Sequence, residues 1–212
     1  AEQVAQLQGL DQLKRFFAPA VADAILSAGA KSILTPHRRE ICYVFVDLRG
    51  FTAFTDAAEP EEVESVLHSY HATMGALIAE YGGTVDRFAG DGILIFFNDP
   101  LPVPDAAKRA ASMALAMQDQ FHPLRARWSK LGYELDLGIG IAQGFATLGA
   151  FGYEGRVDYT AIGSVVNPSS SPRLLFSTAA VVGFCSTMGS SRGLRAMADE
   201  SGLASRCSLI TR

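Results

Sequence analysis

A chain of 212 residues, 49% of them hydrophobic, can build one domain of ordinary core size with short extensions. Its formal net charge of −4 speaks against a nucleic-acid binder, which carries a basic excess or stripe, although a bound metal would still admit a nucleotide. Cys42, Cys185 and Cys207 form neither an even set nor a metal-ligand spacing, which argues against a disulfide framework and fits a reducing, cytoplasmic setting.

Residues 1–36 read as a helical lead-in. Leu7, Leu10, Leu13, Phe16 and Phe17, then Val21, Ile25 and Leu26, recur at helical spacing. Pro19 divides two helices, and Gly29 and Pro36 close the second. The start lacks the basic region and apolar run of a signal peptide, and its Gln-rich character suggests a junction to an upstream domain. Residues 41–46 form a β-type run, read as a buried strand that stops at Asp47, before a loop or short helical turn to Thr55. Pro60 opens a helix whose apolar face comprises Val63, Val66, Leu67, Tyr70, Met74, Leu77, Ile78 and Tyr81. Gly82 and Gly83 end it. Two β runs, 84–88 and 93–97, flank Ala89-Gly90-Asp91-Gly92, a strong hairpin signal.

Asp105 is the expected N-cap of an Ala-rich helix reaching Lys130. Residues 134–142 alternate as a strand, and 145–148 with 157–162 suggest a further hairpin. The order predicts an α+β fold, a ferredoxin-like βαββαβ core with an added hairpin. Both helices would cover one face of an antiparallel sheet, leaving the other to a ligand or partner. The longest apolar stretch, 174–184, is too short to span a bilayer, so no membrane contact is expected from this segment.

In such a sheet the first and third strands are central neighbours. Asp47 ends the first and Asp91 precedes the third, so antiparallel pairing brings the two carboxylates to one edge. Two carboxylates that close repel and raise each other's pKa unless a cation lies between them. Hard oxygen ligands favour Mg²⁺ or Mn²⁺. Each aspartate taken alone is equally an ordinary turn residue. Gly90 and Gly92 would let backbone approach phosphate closely, and the amides of the Arg49-Gly50-Phe51-Thr52 stretch add to this. His68 and His71, three apart, lack a third ligand and read as a solvated helix edge. Gly138-x-Gly140 lies inside a strand and is no dinucleotide fingerprint, and no Walker-type loop occurs. Trp128 reads as core or interface.

Four segments together resemble the class III adenylate/guanylate cyclase family. They are Phe45-Val46-Asp47-Leu48-Arg49-Gly50-Phe51-Thr52, Gly82-Gly83-Thr84-Val85-Asp86-Arg87-Phe88-Ala89-Gly90-Asp91-Gly92, Gly138-Ile139-Gly140-Ile141 with Gly144, and Asp158 through Asn167. The resemblance implies a helical linker over 1–36 from an upstream sensor domain, a catalytic domain over 37–167 and an atypical tail over 168–212. It implies a homodimer with composite sites that takes ATP or, less readily, GTP. Asp47 and Asp91 would hold two metal ions, Mg²⁺ or Mn²⁺. Arg87 and Thr160 would read the purine, Phe51, Thr52 and Gly90 would face the substrate, and Asn167 would orient the ribose.

Two positions depart from the family pattern. Arg87 replaces a lysine, exchanging a compact ammonium for a planar fork. Ser171 stands four positions after Asn167, where the family places an arginine; Arg173 is the nearest substitute. An arginine that stabilises transition-state charge in phosphoryl transfer is worth about 10³–10⁵ in rate, so its loss implies, as the alternative, a cyclase-like dimerisation and nucleotide-binding module. A cyclase making cyclic dinucleotides is disfavoured, because its Gly-Gly-Asp/Glu-Glu/Asp-Phe signature is absent. Residues 168–212 hold ten serines and no lysine, against seven serines in the first 167 residues. That break suggests a shifted reading frame, which translation of the coding DNA in the other two frames tests.

Overall fold

The strand ending at Asp47 is the axis of the molecule. In a computed structural model, which describes residues 18–28 and 33–167 in full and the backbone of 174–177 and 180–182, β1 (His37–Arg49) is a central strand. It pairs antiparallel with β3 (Gly92–Phe97) on one side and with β4 (Asp136–Tyr153) on the other. The sheet runs β2-β3-β1-β4-β6-β7, with β2 at Thr84–Ala89, β6 at Leu174–Ser177 and β7 at Ala180–Val182. β5 (Arg156–Ile162) pairs with the distal half of β4. Every pairing is antiparallel. The expected βαββαβ core with its added hairpin is therefore present.

Two long helices cover one face. α3 (Pro60–Tyr81) starts with Pro60 at its first turn, as anticipated, and Glu59 and Glu62 close a capping box around it. α4 (Ala106–Ser129) buries Met113, Met117, Phe121 and Trp128 against Val44, Val46 and Leu48 of β1. Trp128 is thus core. Two shorter helices are α1 (Pro19–Ala28), from the lead-in, and α2 (Phe51–Thr55). The remaining lead-in residues, 1–17 and 29–32, lie outside the described residues. Among the described residues, no helix is long and apolar enough to cross a membrane.

Three local expectations change. Asp105 occupies the N-cap position of α4 but makes no side-chain capping bond; its φ of 52° is left-handed, whereas a capping side chain needs an extended N-cap backbone. Residues 134–142 do not alternate: Leu137 through Ala142 are buried in succession, because this stretch of β4 is covered on both faces. β4 also continues without a break past Gly144, so the added hairpin joins its far end, Thr147–Tyr153, to β5. The second face of the sheet is accordingly not wholly open. Ile41, Tyr43, Phe96, Leu148, Ala161 and Val165 form a smaller core there.

The buried carboxylate of Asp99 fastens that second face. It accepts from His37 Nε2 at 2.8 Å, pairs with Arg39 Nη1 at 3.2 Å and accepts from the Tyr159 hydroxyl. Burial alone would lower the pKa of His37, but hydrogen bonds to Asp99 and to the Thr35 carbonyl, with the Asp99 charge, raise it. The stability this contributes is complete below the unfolded value of about 6.5 and is lost as pH rises through the higher folded value. His37→Gln is expected to cost more stability at about pH 5.5 than at about pH 8.5 in urea denaturation; an equal cost at both contradicts this.

Candidate active site

The register Val46↔Ile93 sets the Gly90-Asp91 turn beside the end of β1. Asp91 Oδ2 accepts the Leu48 backbone N–H at 3.1 Å, which ties the turn to the strand. Burial, then the charge of Asp91 and a hydrogen bond with it, raise the pKa of Asp47, against a lowering influence of Arg49. The two carboxyl groups therefore lie at the same edge of the sheet, as the topology predicted, close enough for the charge of one to act on the other. Among the described residues no group of three or more His, Cys, Asp or Glu surrounds a metal position. A pair of carboxylates is nevertheless the protein share usual for Mg²⁺, which keeps waters and takes substrate phosphates as its other ligands. The donor set thus fits a hard divalent ion.

Gly50 holds the next turn. Its φ is 83°, and a Cβ there would stand 2.4 Å from the Glu134 carbonyl oxygen, so only glycine fits. Phe51 and Thr52 follow at the start of α2, and Gly90, with φ 65°, faces open space in the adjacent hairpin.

Beneath the pair lies a residue that periodicity assigned to a greasy face. Tyr70 is 0% exposed, yet its hydroxyl has no hydrogen-bond partner among the described residues. Burial and the charges of Asp47 and Asp91 raise its pKa, which keeps it a protonated donor. Hydrophobic spacing cannot distinguish such a tyrosine from phenylalanine. His68 is exposed as expected, but His71 is not a solvated edge: its ring packs between Tyr70 and Phe88, at 5.3 and 4.9 Å, and burial lowers its pKa.

A second cluster lies on β2 and β5. Arg87 Nη2 donates to Thr160 Oγ1 at 3.1 Å. The β2–β3 register shifts between Val85 and Arg87, so Asp86 is the extra residue of a bulge. The bulge puts Asp86 beside Arg87, whose Nε donates to Asp86 Oδ2 at 3.3 Å, and under Tyr43, whose hydroxyl donates to the same oxygen at 2.6 Å. A cavity of about 460 Å³ opens here, lined by Ala18, by Val21 of α1 and by Asp86, Arg87, Asp158 and Thr160 among others. Neither Asp47 nor Asp91 lines it. Asn167 lies after the short 3₁₀ turn Ser164–Val166, where its N–H bonds the Ser164 carbonyl. Arg173 lies outside the described residues.

This arrangement has close counterparts. The family described as "Adenylate and Guanylate cyclase catalytic domain" matches residues 34–173. The chain belongs to that family. An adenylate cyclase from Anabaena cylindrica is 34% identical over 76% of this chain, which spans 32% of that protein's length. Among solved structures, the adenylyl cyclase CyaB from P. aeruginosa is 36% identical with a TM-score of 0.61, covering 65% of this chain and 75% of its own. The guanylyl cyclase Cya2 is 39% identical with a TM-score of 0.58, covering 62% and 67%. The cyclase fold is thus established, while similarity to adenylyl and guanylyl enzymes is nearly equal.

Two expectations follow for the acidic pair and its neighbour. In metal-free buffer near neutral pH, Asp47→Asn should raise the melting temperature by relieving like-charge repulsion, and should abolish the further rise that Mn²⁺ gives the wild-type chain. Tyr70→Phe removes an unpaired buried hydroxyl and should leave urea stability unchanged or raise it by about 1 kcal/mol; a clear loss would mean that the hydroxyl is partnered.

Proposed function

We propose that this domain converts a purine nucleoside triphosphate, ATP in preference to GTP, into its 3′,5′-cyclic monophosphate and pyrophosphate. The observation that carries the reading is the convergence of Asp47 and Asp91 at one rim of the sheet. Two divalent ions, Mg²⁺ or Mn²⁺, held there would favour ionisation of the ribose 3′-hydroxyl and offset charge on the departing pyrophosphate. The O3′–Pα bond forms, the bond from Pα to the β-phosphate oxygen breaks, and the hydroxyl proton passes to solvent. Backbone at Phe51, Thr52 and Gly90 borders the triphosphate. Asn167 orients the ribose and so aligns the attacking oxygen, and Arg173 is the arginine available to the developing charge.

Arg87 and Thr160 hold the purine. Their cavity excludes the chain's own Asp47 and Asp91, which supports a homodimer in which one copy supplies the metal pair and the other the base pocket. The lead-in, residues 1–36, then serves as the linker from an upstream sensor domain, residues 37–167 as the catalytic domain and 168–212 as its atypical tail, with the whole acting in the cytoplasm. Ser171, in place of the family arginine, favours a second reading: a module that dimerises and binds nucleotide with feeble turnover.

The chain is to be incubated with ATP or GTP and Mn²⁺ and the products identified by mass spectrometry. Cyclic AMP should exceed cyclic GMP, and Asp47→Ala should reduce formation at least about a hundredfold, the loss typical of removing a charge-stabilising group. Undiminished activity in that variant would contradict the metal assignment. Easily measured turnover by the wild-type chain would dispose of the module reading.

A further inference from the structure

Asp99, just past the end of β3, joins three strands through one side chain and one carbonyl. Its carboxylate is 0% exposed, so bulk water cannot replace a lost partner. Oδ1 accepts from the Tyr159 hydroxyl of β5, while Oδ2 faces His37 Nε2 at 2.8 Å and Arg39 Nη1 at 3.2 Å, both on β1. Its backbone carbonyl accepts from Thr84 Oγ1, at the start of β2, at 2.9 Å. Among the described residues β5 pairs with β4 alone. Beyond β4, side-chain bonds tie it to the sheet, from Tyr159 to Asp99 and from Arg87 to Thr160.

The partners of His37 fix its protonation. Nδ1 lies 3.1 Å from the Thr35 carbonyl oxygen, which can only accept. Asp99 Oδ2 already receives Arg39, so it too is an acceptor. Both ring nitrogens therefore donate, which only the imidazolium can do. A neutral ring must give up one of the two bonds. The ring is 34% exposed, enough for protons to reach it. Asp99 and Arg39 are the charged groups that face it, with Tyr159 beyond Asp99. Thr35 belongs to the chain just before β1, and that segment leans on β4. A Cβ at Gly149 would stand 2.8 Å from Pro36 Cα and 3.1 Å from the Leu34 carbonyl oxygen. Gly149 is the register partner of Thr160.

We propose that His37 and Asp99 are positioning residues that form a proton-operated clasp on β5: the doubly protonated ring locks residues 34–36 and Tyr159 around Asp99, and loss of one ring proton loosens the strand that carries Thr160. The effect on nucleotide rests on the cyclase reading above, whereas the clasp itself does not. An imidazolium donating to a carboxylate makes a charge-assisted bond, stronger than a neutral one. Arg39 stays on Asp99 when the ring becomes neutral, so the clasp slackens rather than opens. Histidine is the side chain whose charge changes in the neutral range, which makes this a graded response to pH.

Two measurements on the full chain test this, each comparing wild type with His37→Gln at the same pH. Glutamine keeps one donor toward Asp99 but does not titrate. Amide hydrogen exchange of β5 reads the clasp without any ligand. At about pH 6, β5 should exchange about fivefold faster in His37→Gln, the worth of one ordinary hydrogen bond, and at about pH 8.5 the two chains should agree. Calorimetric titration with 3′-deoxy-ATP and Mg²⁺ reads the site. The affinity of wild type relative to the variant should fall by about the same fivefold factor between those two pH values. In a Tyr159→Phe background, which cuts β5 from Asp99, His37→Gln should change neither readout, although it still lowers urea stability at about pH 6. Equal β5 exchange in wild type and His37→Gln at about pH 6 overturns the clasp, as does a difference that persists in the Tyr159→Phe background. Faster exchange with an unchanged affinity ratio overturns the positioning role. A wild-type chain that binds no 3′-deoxy-ATP at either pH sinks the cyclase reading, and the exchange result then decides the clasp by itself.

Discussion

Two acidic side chains held close together are an electrostatic liability, and the pairing of this sheet brings them to one edge. Asp47 is fixed by a strand paired on both sides, and Asp91 by a hairpin whose carboxylate is tied to the Leu48 amide of that same strand. The helices bury their apolar faces against β1, and Tyr70 closes the space beneath with a hydroxyl that finds no partner among the described residues. A cation placed between the carboxylates turns the liability into a binding site. In the proposed reading, that exchange is the reason unfavourable charge is tolerated at the rim of the sheet.

The cluster proposed to hold the purine obeys different physics. There hydrogen-bond direction matters more than paired charge, and the bulge in β2 sets Asp86 beside Arg87. Because adenylyl and guanylyl relatives are similar to this chain at 36% and 39% identity, overall likeness cannot choose the purine. In the proposed reading the choice falls to the few donors and acceptors lining one cavity, in which Arg87 presents a fork that Asp86 and Thr160 hold from two sides.

Much of this was legible in the sequence where local rules and chain order agree. Pro60 and Gly82 bracket α3 as helix start and stop signals should, and the Gly90-Asp91 turn follows from glycine's access to positive φ. Asp47 and Asp91 could be paired by topology alone, since antiparallel central strands leave few registers. What was hidden depends on tertiary context. Successive buried residues obscured the length of β4, because a strand covered on both faces loses its alternation. Tyr70 was indistinguishable from a core aromatic, and Asp86 from any strand aspartate, because a bulge has no reliable signal in one sequence. The aromatic sandwich around His71 required knowing that Phe88 of β2 faces α3.

The central claim is that a divalent cation sits between Asp47 and Asp91 of one copy while the purine of the same nucleotide lies in the cavity of another. Anomalous diffraction from crystals grown with Mn²⁺ and a non-cyclisable ATP analogue measures both at once. The account predicts manganese peaks in contact with both carboxylates and adenine against Arg87 and Thr160 of the partner copy. Manganese bound elsewhere, or nucleotide and metal held wholly by one chain, would contradict it.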